Sequence, residues 1–252
     1  WCEELGVEEA PRLDFTGSNI VALEDGRLIT SDMVVGLISS LVGVMLLFLL
    51  AFHSRAALAY AFFPLVTGIA LTFSFGALAL GRINSLTSAF GGMVIGLGID
   101  FVIVLYARYV EERGRGADHA EAVDAMGRHT GVGVLLGAAT TAATFYSFLV
   151  TDFAGLWELG LLTGTGILLL VLTVFLMLPA LLSLVEGRRG AALRRPRLHS
   201  FGSDLLCRLS LRRPRTTIVL AVVATAALAL GLRGLSWDDN FANMRSSGNR
   251  AI

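Results

Sequence analysis

One apolar run constrains what this chain can fold into. It extends from Leu86 to Tyr106, is long enough to cross a bilayer as a helix, and contains a single ionisable residue, Asp100. Asp100 lies roughly 12 Å along the helix from Arg108, at the basic end of the run. A short carboxylate cannot reach water over that distance, and a bare charge at that depth costs several kcal/mol. Asp100 must therefore be neutral, paired or hydrated, as a residue that binds and releases protons would be.

Glycines surround Asp100 at helical spacing. Gly92, Gly96 and Asp100 are four residues apart and share one helix face, and Gly98 lies beside it. Small residues at this spacing allow the backbone of a neighbouring helix to approach closely. We therefore predict that Asp100 points into a helix bundle and acts as a proton relay. The alternative is that Asp100 only hydrogen-bonds a neighbouring helix as a structural clamp.

The composition indicates a membrane protein. Of the 252 residues, 55% are hydrophobic and only 16% are charged, whereas a soluble domain has roughly 25% charged residues. The cysteines and histidines have no metal-ligand spacing, and the sequence contains no phosphate-binding loop. The glycine-rich run at 91–98 opens no strand–helix unit of the dinucleotide-binding kind. We predict that the chain is not an enzyme and holds neither a metal nor a cofactor.

The apolar runs predict six transmembrane helices, five of them forming one block over residues 33–185. A polar loop at 108–128 contains a weakly amphipathic segment, 117–128, that either lies along the membrane surface or is an ordinary solvated helix. A basic connector spans 186–215. The predicted helices are residues 33–52, 56–80, 86–106, 130–150, 156–185 and 216–235.

The two ends of the chain are polar. Residues 1–32 predict the end of a soluble domain, with a short strand at 12–16, a turn at 16–19, and at 24–26 either a second turn or the approach to a helix. Ser31 or Asp32 is expected to cap the first membrane helix. Residues 236–252 predict the start of a second soluble domain. We therefore expect the chain to be a piece of a longer polypeptide.

The arginines predict the orientation of the helices. With six helices, 14 of the 20 basic residues fall on one side, mostly in 108–128 and 186–215. Arginine-rich loops are cytoplasmic in most membrane proteins, so we expect these two segments inside and residues 1–32 and 236–252 in the periplasm. The basic connector is expected to contact anionic lipid headgroups and not nucleic acid.

Several segments resemble the resistance-nodulation-division (RND) superfamily of transporters. Gly96 to Asp100 matches the Gly-x-x-x-Asp motif of the fourth membrane helix in that superfamily, with a similar lead-in at 82–90 and a similar exit at 105–113. Residues 140–145, 159–164 and 178–182 match the next two helices. The resemblance extends over nearly all of 12–240 and corresponds to membrane helices two to seven. It is specific for the branch of the mycobacterial (MMPL-like) lipid exporters and is greatest for the hopanoid-associated type.

This resemblance implies an all-α membrane fold with a sterol-sensing-domain-like five-helix block and a short α/β remnant of a periplasmic porter domain at the N-terminus. It implies a proton-driven secondary transporter of the bacterial inner membrane that exports a lipid, in particular a hopanoid-like lipid. The implied partners are the lipid substrate, protons, membrane lipids, further copies of the chain, and a second half of the polypeptide that pairs with Asp100. The alternatives are a multidrug or small-molecule efflux pump, or a sterol-sensing-type regulator without transport. Lipid exporters often follow this aspartate with tyrosine, but here Phe101 removes that hydroxyl.

The fourth predicted helix has one polar turn, formed by Thr140, Thr141 and Thr144. Such hydroxyls either hydrogen-bond a carbonyl of the preceding turn or reach a polar neighbour. The resemblance places this helix beside the Asp100 helix. We predict that Thr140 or, in preference, Thr141 supports the relay by hydrogen-bonding Asp100, directly or through one water. The alternative is that the threonines are local features of their helix.

Overall fold

The computed structural model describes residues 18–52, 55–81, 90–186 and 211–230, and all regular structure in these ranges is helical. The all-α prediction is confirmed for this part of the chain, and the strand expected at 12–16 lies outside it. A π-helical turn, Met126–Thr130, joins α4 to α5, and a 3₁₀ turn, Ser147–Val150, follows α5. The helices are α1 (Ser18–Phe52), α2 (Arg55–Ala79), α3 (Phe90–Arg115), α4 (His119–Ala125), α5 (Gly131–Tyr146), α6 (Ala154–Glu186) and α7 (Pro214–Leu230).

Five helical segments are long and apolar enough to cross a membrane, and each overlaps one of the first five predicted spans. The sixth predicted span overlaps α7, which is apolar but has only 17 described residues. α7 belongs to a separate compact unit. The five membrane-spanning segments are Met33–Phe52, Ala57–Ala79, Phe90–Arg115, His119–Val150 and Ala154–Val185.

The first helix begins earlier than the sequence predicted. α1 extends without a break from Ser18 to Phe52, so the cap expected at Ser31 or Asp32 is wrong, and residues 24–26 belong to the helix and do not form a turn. A glycine inside a helix costs only about 1 kcal/mol. Gly26 is flanked by good helix formers, among them Leu23, Glu24 and Leu28, and their propensities outweigh the turn signal.

The third helix is also longer than predicted, because it continues through Arg115 into the expected loop. Gly116 then ends it with a left-handed φ of +98°. The Gly116 and Ala117 amides donate to the carbonyls of Arg113 (3.2 Å) and Glu112 (3.1 Å), a glycine-dependent helix stop. Ion pairs at helical spacing, each worth about 0.3–0.5 kcal/mol, stabilise the added turns. Their N–O distances are 2.6 to 3.3 Å among Arg108, Glu111, Glu112 and Arg115.

The long helix α6 lies at the centre of the unit formed by α1 to α6. It packs against α2, α3 and α5, and α1 packs against α2 and α3. The contact with α5 requires a glycine, since a Cβ at Gly160 would lie 2.5 Å from the Phe145 carbonyl oxygen. The Thr173 hydroxyl of α6 lies 3.1 Å from the Pro64 carbonyl oxygen of α2 and ties these helices together. The face of α3 turned away from α6 is left open by this arrangement.

Candidate functional site

Asp100 lies in the middle of α3, on the open face of that helix. Both Asp100 and Gly96, one turn earlier, are exposed, and Met93 and Val104 on the same face are 42% and 46% exposed. α3 buries a different set of residues, including Val94, Gly98, Ile99 and Val102. The prediction that Asp100 points into the bundle is therefore wrong for the helices described, because α3 packs through its other face.

The Asp100 carboxylate accepts no hydrogen bond and forms no ion pair with any described residue. The side chain of Phe101, the next residue, is partly buried against the hydrophobic core and does not lie on the Asp100 face. Asp100 is thus a lone carboxylate on a smooth, largely apolar surface at membrane depth. Such a group facing lipid costs several kcal/mol, so a further surface or a water-filled cavity must cover it in the membrane.

The three glycines predicted to pack near Asp100 have different surroundings. A Cβ at Gly98 would lie 2.5 Å from Leu170 Cδ1, so close packing of α3 on α6 depends on this glycine. A Cβ at Gly92 would make an ordinary contact, 3.4 Å from Ser40 Oγ of α1. A Cβ at Gly96 would meet nothing within 4 Å. The helices described here therefore do not account for a packing role of Gly96.

The threonines of α5 use their protons within their own helix. Thr140 and Thr141 both donate to the Gly137 carbonyl, at 2.9 and 2.8 Å, and Thr144 donates to the Thr140 carbonyl at 3.0 Å. A hydroxyl has one proton, so none of the three donates to Asp100 in this structure. The predicted direct hydrogen bond is absent and the local alternative is observed. Thr140 remains exposed, and a water-mediated contact through the hydroxyl lone pairs stays a prediction.

A second polar arrangement, which sequence reasoning missed, lies at the arginine-rich end of the bundle. The hydroxyl of the buried Tyr109 lies 2.9 Å from His119 Nδ1, and His119 Nε2 lies 3.1 Å from Ser183 Oγ. These contacts join α3, α4 and α6. The partners of His119 are 10 and 64 residues away, so no local pattern could have revealed them.

The short helix α4 lies within the amphipathic segment predicted at 117–128. Asp118 accepts a hydrogen bond from the Glu121 amide (2.8 Å), and the Glu121 carboxylate accepts one from the Asp118 amide (3.0 Å). This reciprocal pair is a capping box, whose Asp-x-x-Glu spacing was readable in the sequence. The buried face comprises Ala122 and Met126, with Val123 partly buried. Ala120 is exposed.

No cluster of three or more possible metal ligands occurs among the residues that the structure describes. Among the described residues, the exposed face of α3 around Gly96 carries one carboxylate, that of Asp100. Such a group can bind a proton when it is sealed in an apolar environment and release it when it is hydrated. This is the behaviour of a proton relay in a membrane transporter.

A family model described as "MMPL family" matches residues 9–217. The chain belongs to the MMPL family. This membership and the five apolar helices identify a multi-pass membrane protein, and the recognition of the lipid-exporter branch from the sequence is confirmed.

Several similar proteins are named as transporters or exporters. The chain is 32% identical over 245 residues to the hopanoid transporter HpnN of Rhodopseudomonas palustris. This alignment covers 96% of this chain and 28% of that protein. It is 36% identical over 167 residues to HpnN of Burkholderia multivorans, covering 65% of this chain and 18% of that protein. The sulfolipid-1 exporter MmpL8 of Mycobacterium tuberculosis is 30% identical over 167 residues, and this alignment covers 65% of this chain and 15% of that protein. The chain thus spans less than a third of the length of these relatives.

Proposed function

We propose that this MMPL-family chain is part of a proton-driven RND-type lipid exporter of the bacterial inner membrane, with Asp100 as its proton relay. The observation that carries the proposal is the position of Asp100, unpartnered by described residues and uncovered at membrane depth on α3. The relatives named above transport hopanoids or export sulfolipid-1, which supports a lipid, in particular a hopanoid-like lipid, as the substrate.

The relay needs a covering surface, and we assign it to a second half of the same polypeptide. The matched region is 28% of the R. palustris relative, so that protein has ample further chain to cover such a face. In this mechanism the open strip of Gly96 and Asp100 packs against the second half, where the apolar contact favours a neutral carboxylic acid. Hydration of Asp100 from the cytoplasmic side then favours loss of its proton. The alternation between the neutral and the charged side chain moves α3 relative to the second half.

Neighbouring groups would assist this cycle without replacing Asp100. Thr140 and Thr141 offer hydroxyl lone pairs that can hold a bridging water, while their protons stay on the Gly137 carbonyl. Phe101 supplies no hydroxyl, so any hydrogen-bond partner of Asp100 comes from water or from another segment. Gly98 keeps α3 close to α6.

The proposed topology places the arginine-rich segments 108–128 and 186–215 in the cytoplasm. Residues 33–185 form the membrane block, and 216–235 form a further membrane helix that includes α7. Residues 1–32 and 236–252 lead into two periplasmic porter domains. The α1 helix then crosses the boundary at residue 32 as one continuous rod, which gives a rigid link between the porter domain and the membrane block. Assembly into a homo-oligomer is part of the same proposal.

The test replaces Asp100 by asparagine in the full-length protein. Asn keeps the size and hydrogen-bonding capacity of the side chain but cannot release a proton. We expect Asp100→Asn to insert normally and to lose transport of a labelled hopanoid from proteoliposomes with an imposed pH gradient. Asp152→Asn, an exposed carboxylate between α5 and α6, is the matched control and is expected to keep wild-type rates.

The same assay separates the alternatives. Wild-type export by Asp100→Asn would leave Asp100 as a structural clamp and would contradict the relay. Gradient-dependent transport of drugs but not of lipids would indicate an efflux pump. Thr141→Val, which removes only the hydroxyl, is expected to slow lipid transport without abolishing it, and an unchanged rate would remove Thr141 from the relay.

A further inference from the structure

We propose that a cavity at the arginine-rich end of the bundle binds a phospholipid with a phosphoethanolamine headgroup, holding part of one acyl chain inside and the headgroup at its mouth. The cavity has a volume of about 300 Å³ and lies between α3, the end of α4 with the π-helical turn, and α6. Its apolar lining consists of Leu105, Val123, Met126, Val174, Phe175 and Pro179. It is separate from the Asp100 face, because the residues that line it lie on the packed side of α3 and α6.

The floor of the cavity is apolar and well buried. Leu105, Met126 and Val174 are 1%, 3% and 0% exposed. Polar groups that would hold ordered water are confined to the rim, so an apolar occupant is favoured over water. The volume is at the lower end of the roughly 300–1,000 Å³ of small-molecule pockets, which suits part of one acyl chain better than a whole lipid.

The mouth of the cavity has one positive and one negative side chain. Arg128 Nε lies 2.7 Å from Asp124 Oδ1, and the two side chains are 78% and 58% exposed. This contact uses one nitrogen of the guanidinium and one oxygen of the carboxylate. The outer Arg128 amino groups can therefore bind a phosphate, while the second Asp124 oxygen accepts from an ammonium. A headgroup with both charges matches this pair, whereas an anionic headgroup without an amine would be repelled by Asp124.

The cavity lies at the right depth for a lipid of the adjacent leaflet. Leu105 is three residues before Arg108, where α3 passes from apolar side chains into its network of ion pairs. The floor is thus within the apolar layer and the Asp124–Arg128 pair is at the headgroup level. An acyl chain can enter without leaving the membrane.

The π-helical turn is an independent indication of a functional site. Met126, Gly127 and Arg128 line the cavity, and all three belong to that turn. π-helical turns interrupt α-helices at a local cost and are frequent at functional sites. A Cβ at Gly127 would meet nothing within 4 Å, whereas a Cβ at Gly131, directly after the turn, would lie 2.9 Å from Phe175. The turn therefore brings the start of α5 against α6 while it leaves the cavity open.

The experiment fills the cavity from Gly127. Gly127→Leu adds a side chain where the backbone leaves room, so the variant is expected to fold with wild-type thermal stability. Gly133→Leu, on the exposed side of α5 with nothing within 4 Å of its Cβ, is the matched control. The delipidated full-length protein is titrated with palmitoyl-oleoyl phosphatidylethanolamine, and bound lipid is counted by native mass spectrometry. The same titration uses phosphatidylglycerol with identical chains.

We expect the tightest phosphatidylethanolamine site to bind about tenfold more weakly in Gly127→Leu, since several buried methylenes lose their cavity, and to be unchanged in Gly133→Leu. Asp124→Asn is expected to remove the preference for phosphatidylethanolamine over phosphatidylglycerol. Equal phosphatidylethanolamine affinity in the wild type and Gly127→Leu would overturn the proposal. So would a wild-type protein that binds phosphatidylglycerol at least as tightly.

Discussion

At the scale of single residues, several hydroxyl groups inside the described helices are satisfied by backbone carbonyls. The hydroxyls of Thr140 and Thr141 donate to the Gly137 carbonyl, and the hydroxyl of Thr173 contacts the carbonyls of Pro64 and Leu170. Asp100 has no such partner among the described residues. Because a membrane offers no water to an exposed carboxylate, another surface or a water-filled cavity has to cover this residue.

Gly98 gives a residue-scale prediction. A leucine side chain at this position would clash with Leu170. Gly98→Leu is therefore expected to lower the free energy of unfolding by about 1–3 kcal/mol, or by more if α6 cannot move aside. Gly43→Leu is the control, because a Cβ at Gly43 in α1 meets nothing within 4 Å. Thermal unfolding in detergent measures both variants. Equal midpoints for the two would contradict the close contact between α3 and α6.

At the scale of elements, irregular segments set the geometry of the arginine-rich end. Gly116 stops α3, the capping box starts α4, and the π-helical turn passes directly into α5. His119 then connects α4 to Tyr109 of α3 and Ser183 of α6. α4 is the first part of a helical segment that continues through the π-helical turn into α5, so the cap and these contacts hold its free N-terminal end.

The cap of α4 gives a prediction at this scale. Asp118→Ala removes a side chain that accepts from the Glu121 amide, and losing such a cap costs about 1 kcal/mol. We expect faster hydrogen exchange of the amides in His119–Ala125, with unchanged protection in α6. Asp152→Ala, outside α4, serves as the control. Exchange in α4 that stays at the wild-type rate would show that tertiary contacts alone hold this helix.

At the scale of the whole molecule, the open face of α3 is the surface to be explained. α1, α2, α5 and α6 cover the other sides of α3 but leave Gly96 and Asp100 exposed. A soluble protein could leave such a strip to water, but a membrane protein cannot leave a carboxylate to lipid. The proposed second half resolves this conflict and also provides the moving partner that proton coupling requires.

A substitution at Gly96 tests whether a second half covers the open face of α3. Gly96→Leu adds bulk where the described helices leave space, so within α1 to α6 it is expected to be harmless. In the full-length protein it should obstruct packing of the second half and reduce lipid transport in proteoliposomes at least tenfold, a loss of about 1.4 kcal/mol in the coupled step. Gly43→Leu is expected to keep wild-type rates. Unchanged stability and transport in Gly96→Leu would show that this face meets lipid.

The sequence by itself determined the membrane class, the five apolar spans and the family, because hydropathy and motif spacing are local properties that packing does not change. It misjudged the start of α1 and the end of α3, where helix propensity and ion pairs outweighed turn and loop signals. Only the tertiary structure decided which face of α3 is covered. That choice depends on contacts such as Gly98 with Leu170 and His119 with Ser183, which join residues far apart in the chain. Periodicity defines the faces of a helix, but the shape of its neighbours selects the face that is buried.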